Sequence, residues 1–186
     1  YDDRALRFRH PGVTFFELDL PHVIADKARR LAVIADHQSQ PILLPVDLRT
    51  DDVAGRLRAA GLELSKPTLF ICEHVLLFLE GPAVRRLLHA LSRVAAPGSS
   101  LALSIEVHPD GPDTHLVLAT VDETMFANAG LLHSISTRRD WNATLTAAGW
   151  NVDQTRKETA VDHFVLPVAG QEVQIQTQFI TASVPA

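Results

Sequence analysis

Three strand-like apolar runs in the first half of the chain each carry a carboxylate at or near the end, and this feature constrains the fold most. Asp19 lies near the end of the run at residues 13–20, Asp47 near the end of the run at 42–48, and Glu73 within the run at 66–79. Predicted helices at residues 22–36 and 51–61 separate these runs. Alternating strands and helices are typical of an α/β fold with a largely parallel sheet. Ligands of such sheets bind beyond the carboxyl ends of the strands, so we expect the three acids to line one crevice.

The rest of the chain continues the same pattern. The stretch "EGPAVRRLLHALSRVAAPG" predicts an amphipathic helix with an apolar stripe formed by Val84, Leu87, Leu88, Leu91 and Val94. Further strands are predicted at residues 99–107, 151–158 and 172–183, and further helices at residues 116–132 and 138–149. The last strand alternates as "EVQIQTQFITAS", which favours an antiparallel or edge position.

Composition and charge indicate one soluble globular domain over residues 1–186. Apolar residues make up 46% of the chain and charged residues 21%, which is typical of a chain that buries a sizeable core. The formal charge of −5 argues against nucleic acid or an anionic membrane as a partner. No apolar stretch approaches the roughly 20 residues that span a bilayer. The single cysteine, Cys72, favours a cytoplasmic location and is expected to be buried rather than nucleophilic.

Carboxylates at successive strand ends suit the recognition of a nucleoside. An acid after a strand of a nucleotide-binding α/β unit accepts the hydroxyl hydrogens of a ribose, as Asp19 would here. Asp47 would accept an adenine amino hydrogen, while the backbone N–H of Leu48 would meet a ring nitrogen. Glu73 would lie near a cationic group of the ligand. Any one of these acids alone is more often a helix cap or a loop residue. The pattern does not separate S-adenosyl-L-methionine from a nicotinamide dinucleotide.

Three longer stretches resemble the leucine carboxyl methyltransferase family. They are "VTFFELDLPHVIADKARRL", "PVDLRTDD…LRAAGLELSKPTLFICEHVLLFLE" and "AVRRLLHALSRVAAPGSSLALSIEV". The resemblance covers roughly residues 3–150 and is to the bacterial branch, which includes O-methyltransferases of polyketide pathways. It implies a Rossmann-like class I methyltransferase fold and S-adenosyl-L-methionine as the cofactor. The implied activity is O-methylation of a carboxyl or hydroxyl group of a small molecule, for example a polyketide-type metabolite.

The resemblance also implies roles for individual residues. Asp19 of "ELDLP" would bind the ribose, Asp47 and Leu48 of "VDLR" the adenine, and Glu73 would lie near the methionine portion. The family carries a strand and a glycine-rich loop just before the motif that corresponds to "DDRALRF" here. This chain begins after them, so we expect it to be N-terminally incomplete, with Arg4 still facing the cofactor carboxylate.

A second departure from the family concerns catalysis. The small residue usual in the family motif "AEGVL" is His74 here. A phenol or alcohol acceptor benefits from a base, whereas a carboxylate needs none, and His74 is the first candidate base, ahead of His133 and His163. A lone histidine is nevertheless more often a core or surface residue. The nine histidines show no paired spacing typical of a metal site, so no metal is expected.

Three questions stay open at the level of sequence. Met125, Phe126, Trp141 and Trp150 would form a substrate wall or, more often for such residues, part of the core. The acids are also compatible with an NAD(P)-binding oxidoreductase, and the fold with a catalytically inactive binding module. A homo-oligomer is compatible with the sequence, which does not determine the oligomeric state.

Overall fold

The computed structural model describes residues 2–34, 40–108, 134–153, 159–168 and 171–185. These residues belong to two compact units, unit 1 (Tyr1–Glu63) and unit 2 (Leu64–Ala186), which are described in turn. Each unit combines parallel strands with helices, which confirms the predicted α/β class. The prediction of a single domain over residues 1–186 stays a prediction.

The described residues of unit 1 include a two-stranded parallel sheet. Its strands are β1 (Phe16–Asp19) and β2 (Ile42–Pro45), and their register places Asp19 opposite Pro45. The helices are α1 (Arg4–Arg7), α2 (Pro21–Leu31) and α3 (Val53–Ala59). Because parallel strands run in the same direction, both strands end at one edge of the sheet. The segments that follow β1 and β2 therefore start side by side.

Local chemistry sets where the helices of unit 1 begin and end. Pro21 is the first residue of α2, where its fixed φ suits a helix and its missing N–H is not needed. Asp52 caps α3, since its side chain accepts the Gly55 N–H at 3.0 Å. Gly61 follows α3 with a φ of +95°, a left-handed conformation that glycine adopts without a steric penalty. These signals were readable in the sequence.

The described residues of unit 2 form a six-stranded mixed sheet. Its strands are β3 (Leu69–Cys72), β4 (Ser100–Val107), β5 (Ile135–Ser136), β6 (Asn151–Val152), β7 (Thr159–Val168) and β8 (Gln171–Ser183). Strand β4 runs parallel to β3 and β5. Strand β8 runs antiparallel to β4, β6 and β7, which confirms the antiparallel C-terminal strand.

The core of unit 2 includes one face of each of its described helices, α4 (Gly81–Ser92) and α5 (Arg138–Ala147). The predicted stripe of α4 is buried, which confirms the helical spacing read from the sequence. Trp150 is fully buried beside α4, and its indole N–H donates to the Leu88 carbonyl at 2.9 Å. The rings of Trp150 and Phe70 pack edge to face with centroids 6.0 Å apart.

The almost continuous apolar run at residues 66–79 predicts one strand that is covered on both faces, and this prediction is wrong. Strand β3 ends at Cys72, and a short 3-10 helix, Leu76–Phe78, follows it. Leu69 and Ile71 are exposed, so only the opposite face of β3 is buried. An apolar run records burial but not backbone geometry, which is why strand and short helix could not be separated within it.

The C-terminal part of unit 2 also differs from the prediction. Of the predicted strand at residues 151–158, Asn151–Val152 form β6, Asp153 lies outside it, and residues 154–158 are outside the described residues. The long strand Thr159–Val168 was not predicted. Pro167 and the polar Asp162 and His163 hid this strand in the sequence. The predicted helix at residues 116–132 lies outside the described residues, as do Met125, Phe126 and His133.

Candidate functional site

Two of the predicted acids lie at the same edge of the sheet in unit 1. Asp19 is the last residue of β1, and Asp47 comes two residues after the end of β2. The Val46 N–H donates to the Asp19 carbonyl at 2.8 Å, so the chain after β2 passes directly beside the end of β1. This arrangement agrees with the sequence expectation for the two acids.

The Asp19 carboxylate is exposed at this edge. Its Oδ1 accepts the backbone N–H of Leu20 at 2.7 Å. A carboxylate offers about four lone-pair sites, so one such bond leaves capacity to accept hydroxyl hydrogens. Asp19 can therefore act as a hydrogen-bond acceptor toward a sugar diol.

Asp47 is held by a neighbouring arginine. The Arg49 side chain donates to both carboxylate oxygens, with Nε at 2.9 Å from Oδ1 and Nη2 at 2.7 Å from Oδ2. Side-chain and backbone hydrogen bonds from Arg49 lower the pKa of Asp47 to about 2. Leu48, between them, is half-buried. An adenine amino group would have to share the Asp47 carboxylate with Arg49.

Arg4 is likewise paired within unit 1. Its Nε donates to Asp2 at 2.9 Å to Oδ1 and 2.8 Å to Oδ2. A guanidinium has five N–H donors, so this contact does not exhaust its capacity to meet a second carboxylate. The sequence did not predict this local pair.

The ion pair between Lys27 and Glu17 was also not predicted from the sequence. Lys27 lies on the buried face of α2, and its ammonium group pairs with Glu17 of β1. The same Nζ donates to the Asp2 backbone carbonyl at 2.5 Å. The Lys27 side chain is 10% exposed and the Glu17 side chain is 18% exposed. This pair joins α2, β1 and the N-terminal segment, so its role is structural.

In unit 2 the predicted site residues Glu73 and His74 directly follow β3. Both are exposed. His74 has a φ of +51°, which is uncommon for a residue with a Cβ, and its backbone N–H donates to Ser104 Oγ at 2.7 Å. The hydrogen bond to Ser104 fixes this turn against β4.

The imidazole of His74 faces a carboxylate that the sequence analysis missed, Glu106 of β4. His74 Nδ1 lies 3.8 Å from Glu106 Oε1. The Glu106 side chain is 2% exposed, and burial raises its pKa, an effect that His74 and a hydrogen bond from Thr177 oppose. Within the described residues, Glu106 Oε2 has no hydrogen-bond partner. The signal in the sequence was the lone Glu within the apolar strand "LALSIEV".

The backbone of Glu106 is fixed from the other side. The indole N–H of Trp141 donates to the Glu106 carbonyl at 3.0 Å, and Trp141 is buried. Trp141 and Trp150 are therefore core residues, and the alternative of a substrate wall is wrong for both. For His163, only the backbone in β7 is described.

Cys72 agrees with its expected structural role. It is buried, and burial raises the pKa of its thiol to about 12. A thiol that stays protonated is a poor nucleophile, so the structure gives no support to cysteine catalysis.

The predicted site residues thus fall into two groups. Unit 1 holds Arg4, Asp19, Asp47 and Leu48, and unit 2 holds Glu73 and His74. Within the described part of the chain there is no cluster of three or more His, Cys, Asp or Glu side chains suited to a metal ion. None of the described helices combines the length and the apolar character that a bilayer-crossing segment requires.

Comparison with a family model gives an independent indication of identity. Residues 1–92 match the model described as "Leucine carboxyl methyltransferase". This segment includes every residue singled out from the sequence for cofactor binding, together with His74.

Curated relatives from mycobacteria point in the same direction. The chain is 33% identical over 164 residues to a provisionally named S-adenosyl-L-methionine-dependent methyltransferase of Mycobacterium avium (strain 104), covering 83% of this chain and 52% of the relative. A relative of the same name from Mycolicibacterium paratuberculosis is 32% identical over 95% of this chain and 59% of its own length. The chain therefore spans about half the length of the curated relatives it matches.

Solved structures support the fold. Human N-acetylserotonin methyltransferase in complex with S-adenosylmethionine superimposes with a TM-score of 0.54 at 16% identity, covering 95% of this chain and 42% of the human protein. At this identity the likeness concerns the fold alone.

Proposed function

We propose that the chain belongs to the leucine carboxyl methyltransferase family, whose model matches residues 1–92, and that the protein is an S-adenosyl-L-methionine-dependent O-methyltransferase. The proposed acceptor is a carboxyl or hydroxyl group of a small molecule, for example a polyketide-type metabolite of secondary metabolism. The single observation that carries the proposal is the juxtaposition of Asp19 and Asp47 after adjacent parallel strands. The cytoplasmic location stays a prediction, and the oligomeric state stays open.

The proposed roles follow from the chemistry of the side chains in unit 1. Asp19 is exposed and would accept both hydroxyl hydrogens of the ribose. Asp47 and the Leu48 N–H would bind the adenine, with Arg49 retaining part of its contact with Asp47. Arg4 would exchange Asp2 for the carboxylate of the methionine portion, since a guanidinium binds carboxylates in a bidentate manner.

In unit 2 the proposed roles concern the reacting end. Glu73 would lie near the cationic portion of the cofactor, where a negative charge is favourable. The bound cofactor supplies an electrophilic methyl group. The protein's contribution is to hold the acceptor in line with that group, to exclude water and, for a hydroxyl acceptor, to remove a proton. His74 is the proposed base.

Calorimetric titration of the full-length protein with S-adenosyl-L-methionine tests the proposal. We expect a dissociation constant in the micromolar range and a roughly tenfold weakening in Asp19→Asn, because a hydrogen bond to a charged group contributes about 1.5 kcal/mol. Asp26→Asn is the matched control, since Asp26 pairs with Arg29 and Arg30 at the surface of α2. Tight binding of NAD with no binding of S-adenosyl-L-methionine would contradict the proposal.

A further inference from the structure

A buried carboxylate beside an exposed imidazole is the feature of unit 2 that the fold itself does not require. Ser104 and Glu106 are two residues apart on β4, so their side chains leave the same face of the strand. Ser104 accepts the His74 backbone N–H at 2.7 Å, and Glu106 Oε1 lies 3.8 Å from the His74 ring. Strand β4 thus fixes the backbone of His74 and places a carboxylate near its side chain.

The cost of this arrangement argues for a role beyond packing. A carboxylate removed from water loses hydration energy unless hydrogen bonds or a cation replace it. Glu106 receives hydrogen bonds from Thr177, directly opposite on β8, and from its own backbone N–H, while its Oε2 has no partner among the described residues. A glutamine or a leucine would fill the position at lower cost.

The position of the pair agrees with a catalytic edge. His74 follows the end of β3, and Glu106 is the last residue but one of β4, the parallel neighbour of β3. Ligands bind beyond the carboxyl ends of parallel strands. At this edge His74 is 56% exposed, whereas Glu106 is enclosed. The exposed imidazole is therefore the group that can reach an acceptor, with the carboxylate behind it.

We propose that Glu106 is a positioning residue that orients His74 as a general base, and that the acceptor is consequently a hydroxyl group, an alcohol or a phenol, rather than a carboxyl group. The inference rests on the proposed methyltransferase function and deepens it. With Nδ1 directed toward Glu106, the proton resides on Nδ1 and the lone pair of Nε2 faces outward. The separation of 3.8 Å exceeds a hydrogen bond, and such contacts commonly shorten once the substrate is bound.

The reaction balances with S-adenosyl-L-methionine as the co-reactant. His74 Nε2 takes the proton of the acceptor hydroxyl while the acceptor oxygen forms a bond to the methyl carbon. The bond between sulfur and the methyl carbon breaks, and its electron pair stays on sulfur, which becomes a neutral thioether. The proton then passes from His74 to water, so the pair is restored.

The same geometry disfavours a carboxyl acceptor. A carboxylic acid is already ionised near neutral pH, so it offers no proton to a base. Its negative charge would also approach Glu106 in a region of reduced dielectric, where like charges repel strongly. An orienting carboxylate behind a base is useful to a hydroxyl acceptor and unfavourable to a carboxylate.

The test compares three variants in the full-length protein. Glu106→Gln removes the charge with almost no change in volume, and Glu80→Gln is its matched control, because Glu80 is exposed at the start of α4. His74→Asn removes the imidazole but keeps a residue that tolerates a positive φ, so the turn is preserved. Catechol and 2-naphthol serve as hydroxyl probes, and 2-naphthoate and octanoate as carboxyl probes, with methyl-labelled S-adenosyl-L-methionine.

We expect the wild type to methylate at least one hydroxyl probe and neither carboxyl probe. Because general-base catalysis contributes roughly 100-fold or more, His74→Asn should lower kcat at least about 100-fold and Glu106→Gln about 10- to 100-fold. The KM for S-adenosyl-L-methionine should change less than about twofold, as expected for a residue that acts only on the transition state. Glu80→Gln should match the wild type. Methylation of a carboxyl probe in preference, or equal rates for both glutamate variants, would overturn the inference.

A spectroscopic readout makes the result independent of the choice of probe. The nitrogen-15 chemical shifts of the His74 ring report which nitrogen carries the proton. We expect the Nδ1–H tautomer in the wild type and a shift toward Nε2–H in Glu106→Gln but not in Glu80→Gln. An Nε2–H ring in the wild type overturns the inference even if no probe is methylated. Failure to bind S-adenosyl-L-methionine counts against the proposed function, whereas normal binding with unaltered kinetics and tautomer in Glu106→Gln counts against this inference alone.

Discussion

The carboxylates of units 1 and 2 differ in how their negative charge is compensated. In unit 1, Glu17 pairs with Lys27 and Asp47 pairs with Arg49. These acids sit beside cations that are close in space or in sequence. Each pair therefore has a structural explanation, and a ligand that uses Asp47 must compete with the arginine or share the carboxylate with it.

In unit 2 the singled-out carboxylate has much weaker compensation. The Glu106 side chain is 2% exposed, and its described polar neighbours are the Thr177 hydroxyl, its own backbone N–H and the exposed ring of His74. Ion pairing in unit 1 therefore supports the fold, whereas the buried acid of unit 2 has a desolvation cost that its polar neighbours offset only in part. Removing an ion-pair partner in unit 1 should therefore lower the stability of the protein. Removing the charge of Glu106 in unit 2 should raise the stability and lower the activity.

The largest expected effect is in unit 1. Lys27→Met should lower the free energy of unfolding by about 3 kcal/mol, because it leaves Glu17 enclosed without its cation. Urea unfolding measures the change, and Arg29→Met, at an exposed pair on the same helix, should cost no more than about 0.5 kcal/mol. The double variant Glu17→Leu/Lys27→Met should recover most of the loss. Equal losses in Lys27→Met and Arg29→Met would remove the structural half of the comparison.

A smaller effect of opposite sign is expected in unit 2. Burial raises the pKa of Glu106 above its ordinary value of 4.5, so the folded state binds a proton more tightly than the unfolded state. The favourable contribution of Glu106 to stability is complete below pH 4.5. It is lost as the pH rises through the pKa that Glu106 has in the folded state. Glu106→Gln should therefore be more stable than the wild type by about 1 kcal/mol at pH 8 and nearly equal to it at pH 4. Urea unfolding at the two pH values measures the difference, and a destabilised Glu106→Gln at pH 8 would break the comparison.

The smallest effect concerns the surface pair of Asp47 and Arg49. Since Arg49 lowers the pKa of Asp47 to about 2, the pair is intact above the ordinary value of 3.8 and is lost as the pH falls through about 2. In Arg49→Gln the pKa of Asp47 should return toward 3.8. Carbon-13 NMR titration of the Asp47 carboxyl measures it. An unchanged pKa would show that Arg49 does not hold Asp47 in solution.

Elements with strong periodicity were predictable from the sequence. The helix Gly81–Ser92 and the strand Ser100–Val107 were predicted because their apolar spacing matches 3.6 residues per turn and a continuous buried run. The end of β3 was not predicted, because apolar residues resume directly after Glu73 and His74 and continue into a 3-10 helix. The direction of the backbone after β3 depends on the conformation of one residue, His74. The hydrophobicity pattern does not reveal that conformation.

The candidate site was predictable only where chain order determines position. Asp19 and Asp47 were found because strand ends in a parallel sheet meet at one edge. Glu106 was missed because its proximity to His74 arises from the pairing of β3 with β4, over a separation of more than thirty residues. Arg49 was missed for the opposite reason, since a pair two residues apart is set by side-chain rotamers rather than by the fold.

The left-handed backbone at His74 has a consequence for how acceptor preference can change over time. At a φ of +51° the turn suits glycine, and asparagine or histidine fits with little additional strain. A single substitution at residue 74 therefore decides whether the loop carries an imidazole or leaves that space empty. No strand or helix has to change. Under the role proposed for His74, a substitution at this position alters the reactivity toward acceptors while the architecture stays the same.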